Sequence, residues 1–366
     1  MHTHITGSSS NTLISGPEFS ARSMVSNPRT LLVILNHNSL SKMGEKALSF
    51  IHSIASTDYP NLEIVVVDNA STDGSDKIIE EELKRLGKGT VVRAKTNMGY
   101  AGGNNYGYKL FGKNCKYVAF LNNDIEVEPD WLKKIVEVME NDDSVAAAQP
   151  KILQLRDRNL IDSLGGMIDR IGRAYDLYHG LPDTSKIKRP FDVFYARGAA
   201  LVVRSDVFRK AGGFDEDYFI YYEETDLCWR LRLMGYRVVT VPTSRVYHLG
   251  GGTMGKVMPR AVCYRRRNQL ATLLKNYSLS RALFYSSVLI IRYSGFSVLR
   301  ILFRKDLVVA RAVLSALVWN FRNIRRILRK RMEVQAKRRV QDSHVMRFMM
   351  SMSGYELAVK HLTDSY

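Results

Sequence analysis

Short, continuously apolar segments alternate with helix-length segments through the first half of this chain. That alternation predicts an α/β fold: a doubly wound, mainly parallel sheet flanked by helices. Two further observations agree. The apolar segments are rich in β-branched residues, as strands buried on both faces are. Each also ends in polar residues, Asn36, Asp68 and Asn122-Asn123-Asp124, and open α/β sheets hold ligands at the carboxyl ends of their strands.

Taken in order, LLVIL (Leu31 to Leu35) is the first strand, and a helical pattern over Met43 to Ala55 follows. LEIVVVDNAS supplies the second strand, ending at Asp68. STDGSDKIIEEELKRLG predicts a helix with Ser and Asp as caps and Gly87 as the stop. TVVRA, a glycine-rich turn into a helix over Asn104 to Phe111, and the strand KYVAFLNND come next. In EPDWLKKIVEVME, Pro129 lies near the first turn, and Leu132, Ile135, Val136 and Met139 share one face. VAAAQP closes the series. Gly165-Gly166, Gly172 and Gly180 break the pattern between Lys151 and Pro190 and predict hairpins or a loop-rich insertion. The stretch from Phe194 to Pro242 then reads as strand, helix, loop, helix, strand.

The length of 366 residues suggests about two domains. The net charge of +18 is concentrated: 21 Lys and Arg fall between Lys256 and Arg339, against only Asp306 and Glu333. We therefore divide the chain into a disordered, polar lead-in (1–28), a near-neutral globular body (29–255) and a basic helical region (256–366). The lead-in has no continuous apolar stretch, so no signal peptide is expected. Three scattered cysteines without a C-x-x-C pair favour neither a disulfide framework nor a thiolate zinc site, and fit a reducing setting.

Ala282 to Phe303 is strongly apolar but interrupted by Arg292 and Arg300. Helices lying in a membrane interface, with Arg reaching anionic headgroups, fit this pattern better than a span. A solvated helix pair packed on the body and a nucleic-acid surface are the alternatives. The Leu, Val and Ile between the arginines favour lipid, so no nucleic-acid partner is expected. The placement predicted is the cytoplasmic face of the cell membrane, peripheral or monotopic.

Several residues carry possible chemistry. Asp68 can accept from a base or ribose, or cap the helix that follows. TNMGYAGGNNYG (Thr96 to Gly107) offers backbone N–H groups for phosphate at a helix start, or simply a tight turn. Asp124 can ligate Mg²⁺ or Mn²⁺ with His248 as a second ligand; a cap and a hydrogen-bonding histidine are the structural alternatives. In YYEETDLCWR (Tyr221 to Arg230), Glu223 or Glu224 can act as general base or complement a helix dipole. Asp226 has Arg230 four residues on, a structural pair. Phe219, Tyr221, Tyr222 and Trp229 offer aromatic stacking faces or ordinary core packing, with core packing favoured for Trp229.

VVVDNASTDGS, TNMGYAGGNNYG, FLNND, GAALVVRSDVFRKAGGFDEDYFIYYEETDLCWRLRLMGY and VYHLGGGT follow one another as in the family-2 glycosyltransferases, and the chain resembles that family from Leu31 to Thr253. The rhamnosyltransferase-like and galactofuranosyltransferase-like members are the most similar. The resemblance implies a GT-A fold and inverting transfer from a nucleotide-sugar donor to a saccharide or lipid-linked acceptor, in cell-surface glycan or glycolipid synthesis. By position it implies Asn36 and Asp68 at the nucleoside, Asn97, Gly99, Asn104 and Asn105 on the diphosphate side, and Asn123 beside them. It implies Asp124 and His248 at a divalent metal and Glu224 as base; given that chemistry, Glu223, Tyr222 and Trp229 are expected towards the acceptor and HLGGGTMG as a lid. Asn122 replaces the first acid of the family's D-x-D motif, Asn104 stands where many members have Arg, and Glu224 stands where Asp is usual. A non-catalytic nucleotide-sugar or glycan-binding protein with the same fold is the alternative. Nothing in the sequence sets the oligomeric state.

Overall fold

The computed structural model describes residues 27–250, 259–304 and 306–350. The expected lead-in therefore lies outside the described residues, except for residues 27 and 28, as does the lid from residue 251 onward.

The first strand, β1 (Thr30–Asn36), is followed by a short α1 (Ser39–Met43), which ends at Gly44, and by α2 (Lys46–Ala55). Next come β2 (Leu62–Asp68), α3 (Ser75–Arg85), β3 (Thr90–Arg93) and α4 (Gly99–Phe111). The helix α4 begins five residues before the expected Asn104, because Gly99 supplies its φ of +69° at the entry. Then β4 (Tyr117–Asn122), a short β5 (Ile125–Val127) and α5 (Trp131–Asn141) lead to β6 (Val145–Gln154). The loop-rich insertion carries the small strands β7 (Ile161–Ser163), β8 (Gly166–Ile168), β9 (Ala174–Asp176) and β10 (Phe191–Asp192). The body ends with β11 (Ala200–Arg204), α6 (Ser205–Ala211), α7 (Glu223–Leu233) and β12 (Arg237–His248).

The main sheet runs β10-β12-β6-β11-β4-β1-β2-β3. One half is parallel: β1 pairs with β2 and β4, and β2 with β3. The strand β11 enters antiparallel between β4 and β6, so the sheet is mixed. Successive residues of β1 serve opposite cores, as period-2 pleating requires. Leu31 and Val33 pack with α4, α6 and α7 residues, whereas Leu32 and Ile34 pack with α2, α3 and α5 residues. Registering β1 with β2 and β4 brings Asn36 opposite Asp68 and places Asn122 at the same edge.

Beyond the body lie α8 (Pro259–Asn276), α9 (Leu279–Arg304), α10 (Leu307–Arg322), α11 (Ile324–Ala336) and α12 (Asp342–Met346). Leu270, Leu273 and Tyr277 join the same core as Trp229. Ala282, Leu289, Tyr293 and Val313 extend that core into α9 and α10. The outward faces differ: Ile291 is 72 % exposed, Phe303 78 % and Phe321 81 %. Leu279–Phe303 is, among the described residues, one helix long and apolar enough to cross a membrane.

Candidate active site

At the carboxyl edge of the sheet, the Asn36 side chain is fully buried and donates to Asp68 (2.9 Å), Ser75 (3.0 Å) and Ser71 (3.2 Å). Its oxygen accepts from Asn123 at 3.1 Å. Asp68 also accepts from the Ser71 amide at 3.0 Å, which shapes the turn into α3. Three of the residues singled out in the sequence, Asn36, Asp68 and Asn123, thus form one network. Each Asp68 oxygen keeps acceptor capacity for a ligand, since a carboxylate has about four lone-pair sites.

The glycine-rich segment is tied to the same edge. Asn97 accepts from the Gly99 amide at 2.9 Å and from Asn69 at 3.0 Å, and its own amide meets His37 at 3.1 Å. A Cβ on Gly99 would lie 2.3 Å from the Phe219 carbonyl oxygen, to which the Tyr100 amide donates at 2.6 Å. Gly99 therefore lets the start of α4 clasp the loop before α7. Asn104 and Asn105 face the protein instead. Asn104 is fully buried and donates to Tyr100 O at 3.0 Å. Asn105 exchanges hydrogen bonds with the Phe214 backbone (2.9 and 3.0 Å) and donates to Glu216.

Asp124 and His248 meet, with Nε2 3.4 Å from Oδ2. The other ring nitrogen, Nδ1, is held by Asp162 Oδ2 at 2.9 Å. Asp162 also accepts from Arg197 at 2.8 Å and lies 3.4 Å from His179. Burial disfavours a charge on His248, but Asp124 and then Asp162 outweigh it and raise its pKa to about 9. The same negative field suits a divalent cation. Asp124 Oδ1 is buried without a partner, and the carboxylate–histidine arrangement is the one that orients metal-binding imidazoles. Among the described residues, no group of three or more His, Cys, Asp or Glu is placed to hold a metal. The pair fits a Mg²⁺ or Mn²⁺ ion that takes its remaining oxygens from substrate and water.

The loop entering α7 is strained. Phe219, Tyr221 and Tyr222 have φ of +63°, +71° and +72°, a left-handed region that side chains rarely adopt and that clusters at functional sites. Asn268 on α8 holds this conformation: its amide donates to the carbonyls of Tyr218, Ile220 and Tyr221 at 2.7–3.0 Å. Arg267 adds donations to Asp217 O and Tyr218 O. The loop delivers Glu224 to a cavity of about 420 Å³ that Tyr222, Tyr195 and Arg197 also line. Glu224 Oε2 is buried without a partner. Burial pushes the Glu224 pKa up to about 7, and nearby Asp176 adds to the shift. Glu223, only 4 % exposed, is pushed well above the carboxylate range by burial and then by Glu224. Tyr222 donates to Gly172 O at 3.0 Å. Trp229 is fully buried between Phe194 and Tyr277 and is not among the residues that line the Glu224 cavity.

Asp226 forms the expected pair with Arg230 at 2.8 Å, and a second partner that the local sequence does not signal. Lys275 on α8, 2 % exposed, lies 3.0 Å from Asp226 and also bonds Asp215. Lys330 bridges Asp215 and Asp217, and Arg326 also reaches Asp217. Burial would raise the Asp226 pKa, but Lys275 and Arg230 hold it below the usual range. Part of the basic excess is therefore neutralised by the acids of FDEDYFIYYEETD.

Sequence reasoning also missed Asp162, Asp176, Arg197 and Asn268. They come from β7, from β9, from the segment before β11 and from α8, in that order, and each is a lone polar residue in an unpatterned context. No periodicity or spacing marks them.

The comparisons with known proteins bear on the family of the domain and on the fold. Residues 32–203 match the family model described as glycosyl transferase family 2. A hexosyltransferase of low-salt glycan biosynthesis, Agl10 of Haloferax volcanii, is 26 % identical over 70 % of this chain and 81 % of its own length. An N-acetylglucosaminyl-diphospho-decaprenol L-rhamnosyltransferase of Mycobacterium tuberculosis is 24 % identical over 57 % of this chain and 73 % of its own length. Of two longer curated relatives, the chain spans 22 and 16 %. The structure of GalNAc-T7 with UDP, GalNAc and Mn²⁺ superposes on 71 % of this chain and 50 % of that one, with a TM-score of 0.57 at 19 % identity. From the sheet order and these matches together, we conclude that residues 32–203 form a glycosyl transferase family 2 domain and that the chain has the GT-A fold.

Proposed function

We propose that this chain is an inverting glycosyltransferase that moves a sugar from a nucleotide-diphosphate sugar to a hydroxyl of a saccharide or lipid-linked acceptor. The observation that carries the reading is Glu224, a carboxylate with a free, buried oxygen on the wall of a cavity. In a single displacement it takes the proton from the acceptor hydroxyl as that oxygen attacks the anomeric carbon from the face opposite the leaving nucleotide. Glu223 beside it is pushed by burial and by Glu224 towards its neutral form. The strained loop, fixed by Asn268, sets the angle at which Glu224 meets the acceptor. Asn36, Asp68 and Asn123 hold the nucleoside end, and the Asn97–Gly99 entry to α4, whose amides donate to Asn69, Asn97 and Phe219 within the protein, shapes the turn on the diphosphate side. Asp124 and His248 would hold a divalent cation, whose charge would offset that of a departing diphosphate.

Nucleotide-sugars incubated with the protein, with and without Mn²⁺, test this reading through release of the nucleoside diphosphate. We expect metal-dependent release that falls at least tenfold in Asp124→Ala. Asp162→Asn, which frees His248 from its orienting partner, should weaken the metal's half-maximal concentration about 10–100-fold. Release at full rate without any divalent metal would overturn the metal assignment.

We also infer that the protein works at the cytoplasmic face of the cell membrane, with the exposed apolar faces of α9 and α10 in an anionic interface. Ile291, Phe303 and Phe321 on those faces, and the arginines beside them, support this. The lipid-linked substrate in the rhamnosyltransferase relative's name supports it as well. Flotation with phosphatidylglycerol vesicles should carry the protein upward, and Ile291→Glu with Phe321→Glu should leave most of it at the bottom. Flotation unaffected by both changes would remove these faces from the contact.

A further inference from the structure

The Glu224 cavity is also a basic cavity. Arg173, Arg265 and Arg266 line it. A second cavity of about 150 Å³ shares Arg173 and Arg266 and adds Arg292, Tyr293 and Phe296 of α9. Among the described residues, none of these four arginines has a carboxylate within ion-pairing distance. The carboxylates lining the larger cavity are Glu224 and Asp176, and Asp176 lies 3.6 Å from Arg197. Asp169 nearby accepts the Arg173 amide, at 2.8 Å, rather than its guanidinium.

The guanidinium groups are placed rather than loose. Arg265 lies over the Tyr221 ring at 4.5 Å, Arg266 over Tyr293 at 5.1 Å and Arg173 over Tyr175 at 5.3 Å. Arg266 also donates one N–H to the Tyr293 hydroxyl at 3.5 Å and keeps others; stacking on an aromatic face leaves the N–H edge of a guanidinium available, and that edge matches phosphate oxygens two at a time. Several unneutralised cations around two joined cavities repel one another until an anion enters. The position matters as much as the charge. On one side is Glu224, and on the other α9, whose neighbouring Ile290 and Ile291 are exposed.

We propose that Arg173, Arg265, Arg266 and Arg292 form a subsite for a phosphate or diphosphate that joins the acceptor sugar to an apolar chain. The acceptor hydroxyl then lies at Glu224, the phosphate at the arginines and the hydrocarbon along α9. The proposal rests on the transferase reading above and narrows its acceptor class.

The test is calorimetric titration of the full chain with farnesyl diphosphate, inorganic pyrophosphate and farnesol. It is run in EDTA, so that no metal-assisted diphosphate binding contributes. We expect farnesyl diphosphate to bind, pyrophosphate to bind more weakly and farnesol to give no saturable signal. Arg173→Gln with Arg266→Gln should weaken both diphosphates at least tenfold. Arg265 and Arg292 are exposed, so Arg265→Gln with Arg292→Gln gives a second variant whose melting temperature should match the wild type, with the same direction of loss. Equal affinity in both variants would overturn the subsite. So would displacement of farnesyl diphosphate by phosphatidylglycerol vesicles at equal phosphate concentration, because the arginines would then be reading headgroups. Transfer to a neutral saccharide without any diphosphate binding would sink this proposal and leave the transferase reading standing.

Discussion

Glu224→Gln should lower sugar transfer by about 10²–10⁴-fold, the usual contribution of a positioned general base, with donor binding nearly unchanged. The amide keeps the size of the side chain and its place on the cavity wall, and loses only the ability to take a proton. The wild-type pH profile should report the same group. With its pKa raised to about 7 by burial, the base is active when deprotonated, so kcat/KM rises with pH up to about 7 and then levels off. Stability should move the other way. The native state holds the Glu224 proton more tightly than the unfolded chain, so stability falls as pH rises from the ordinary carboxylate range through about 7. Glu224→Gln removes that loss and should be more stable than wild type at pH 8, by on the order of 2 kcal/mol. Wild-type turnover in the variant would withdraw the base assignment.

Lys275→Met should destabilise the protein by about 3–5 kcal/mol, read from urea unfolding. It leaves Asp226, fully buried, with Arg230 as its remaining cation beside hydrogen bonds from Asn276 and Tyr218, and takes one of two lysines from Asp215. Lys275→Met with Asp226→Asn should recover part of the loss, because no uncompensated charge then remains at Asp226. The acid limb has a defined sign as well. Asp226 and Asp215 are held below the usual range, so their contribution is present above an ordinary carboxylate pKa and is lost as pH falls below it. The same contacts make a prediction about boundaries. A chain cut at Gly255 lacks α8, and with it Asn268 and Lys275. We expect it to lose Glu224 positioning and solubility together. A chain cut after α12 retains both elements and should keep donor turnover. A soluble, active 29–255 fragment would show that α8 is dispensable.

Much of the body was legible because its signals are local. Buried strands such as LLVIL and KYVAFLN are continuous in sequence, and α5 displays its core face at helical spacing. The ends of those strands pointed to Asn36, Asp68 and Asp124, since in a parallel sheet every strand end falls on one edge. The pairing of Asp226 with Arg230 was legible too, being a contact within one helical turn. The strand β11 was expected as a strand, but its antiparallel insertion between β4 and β6 was not, because strand direction in a sheet depends on the path of a long connection.

By itself, then, the sequence determined the elements, the edge at which Asn36 and Asp68 meet and the carboxylates that are candidates for chemistry. It also determined that the C-terminal region is both cationic and apolar. Only the tertiary structure decided what those charges meet. Lys275 reaches back 49 positions to Asp226, Asn268 braces a loop 47 positions before it, and Asp162 orients a histidine 86 positions after it. A buried charge or a strained turn is stable only with a partner in contact. For these residues the partner lies on another element, so no local pattern could reveal whether a given arginine or lysine serves the fold, the lipid or the acceptor.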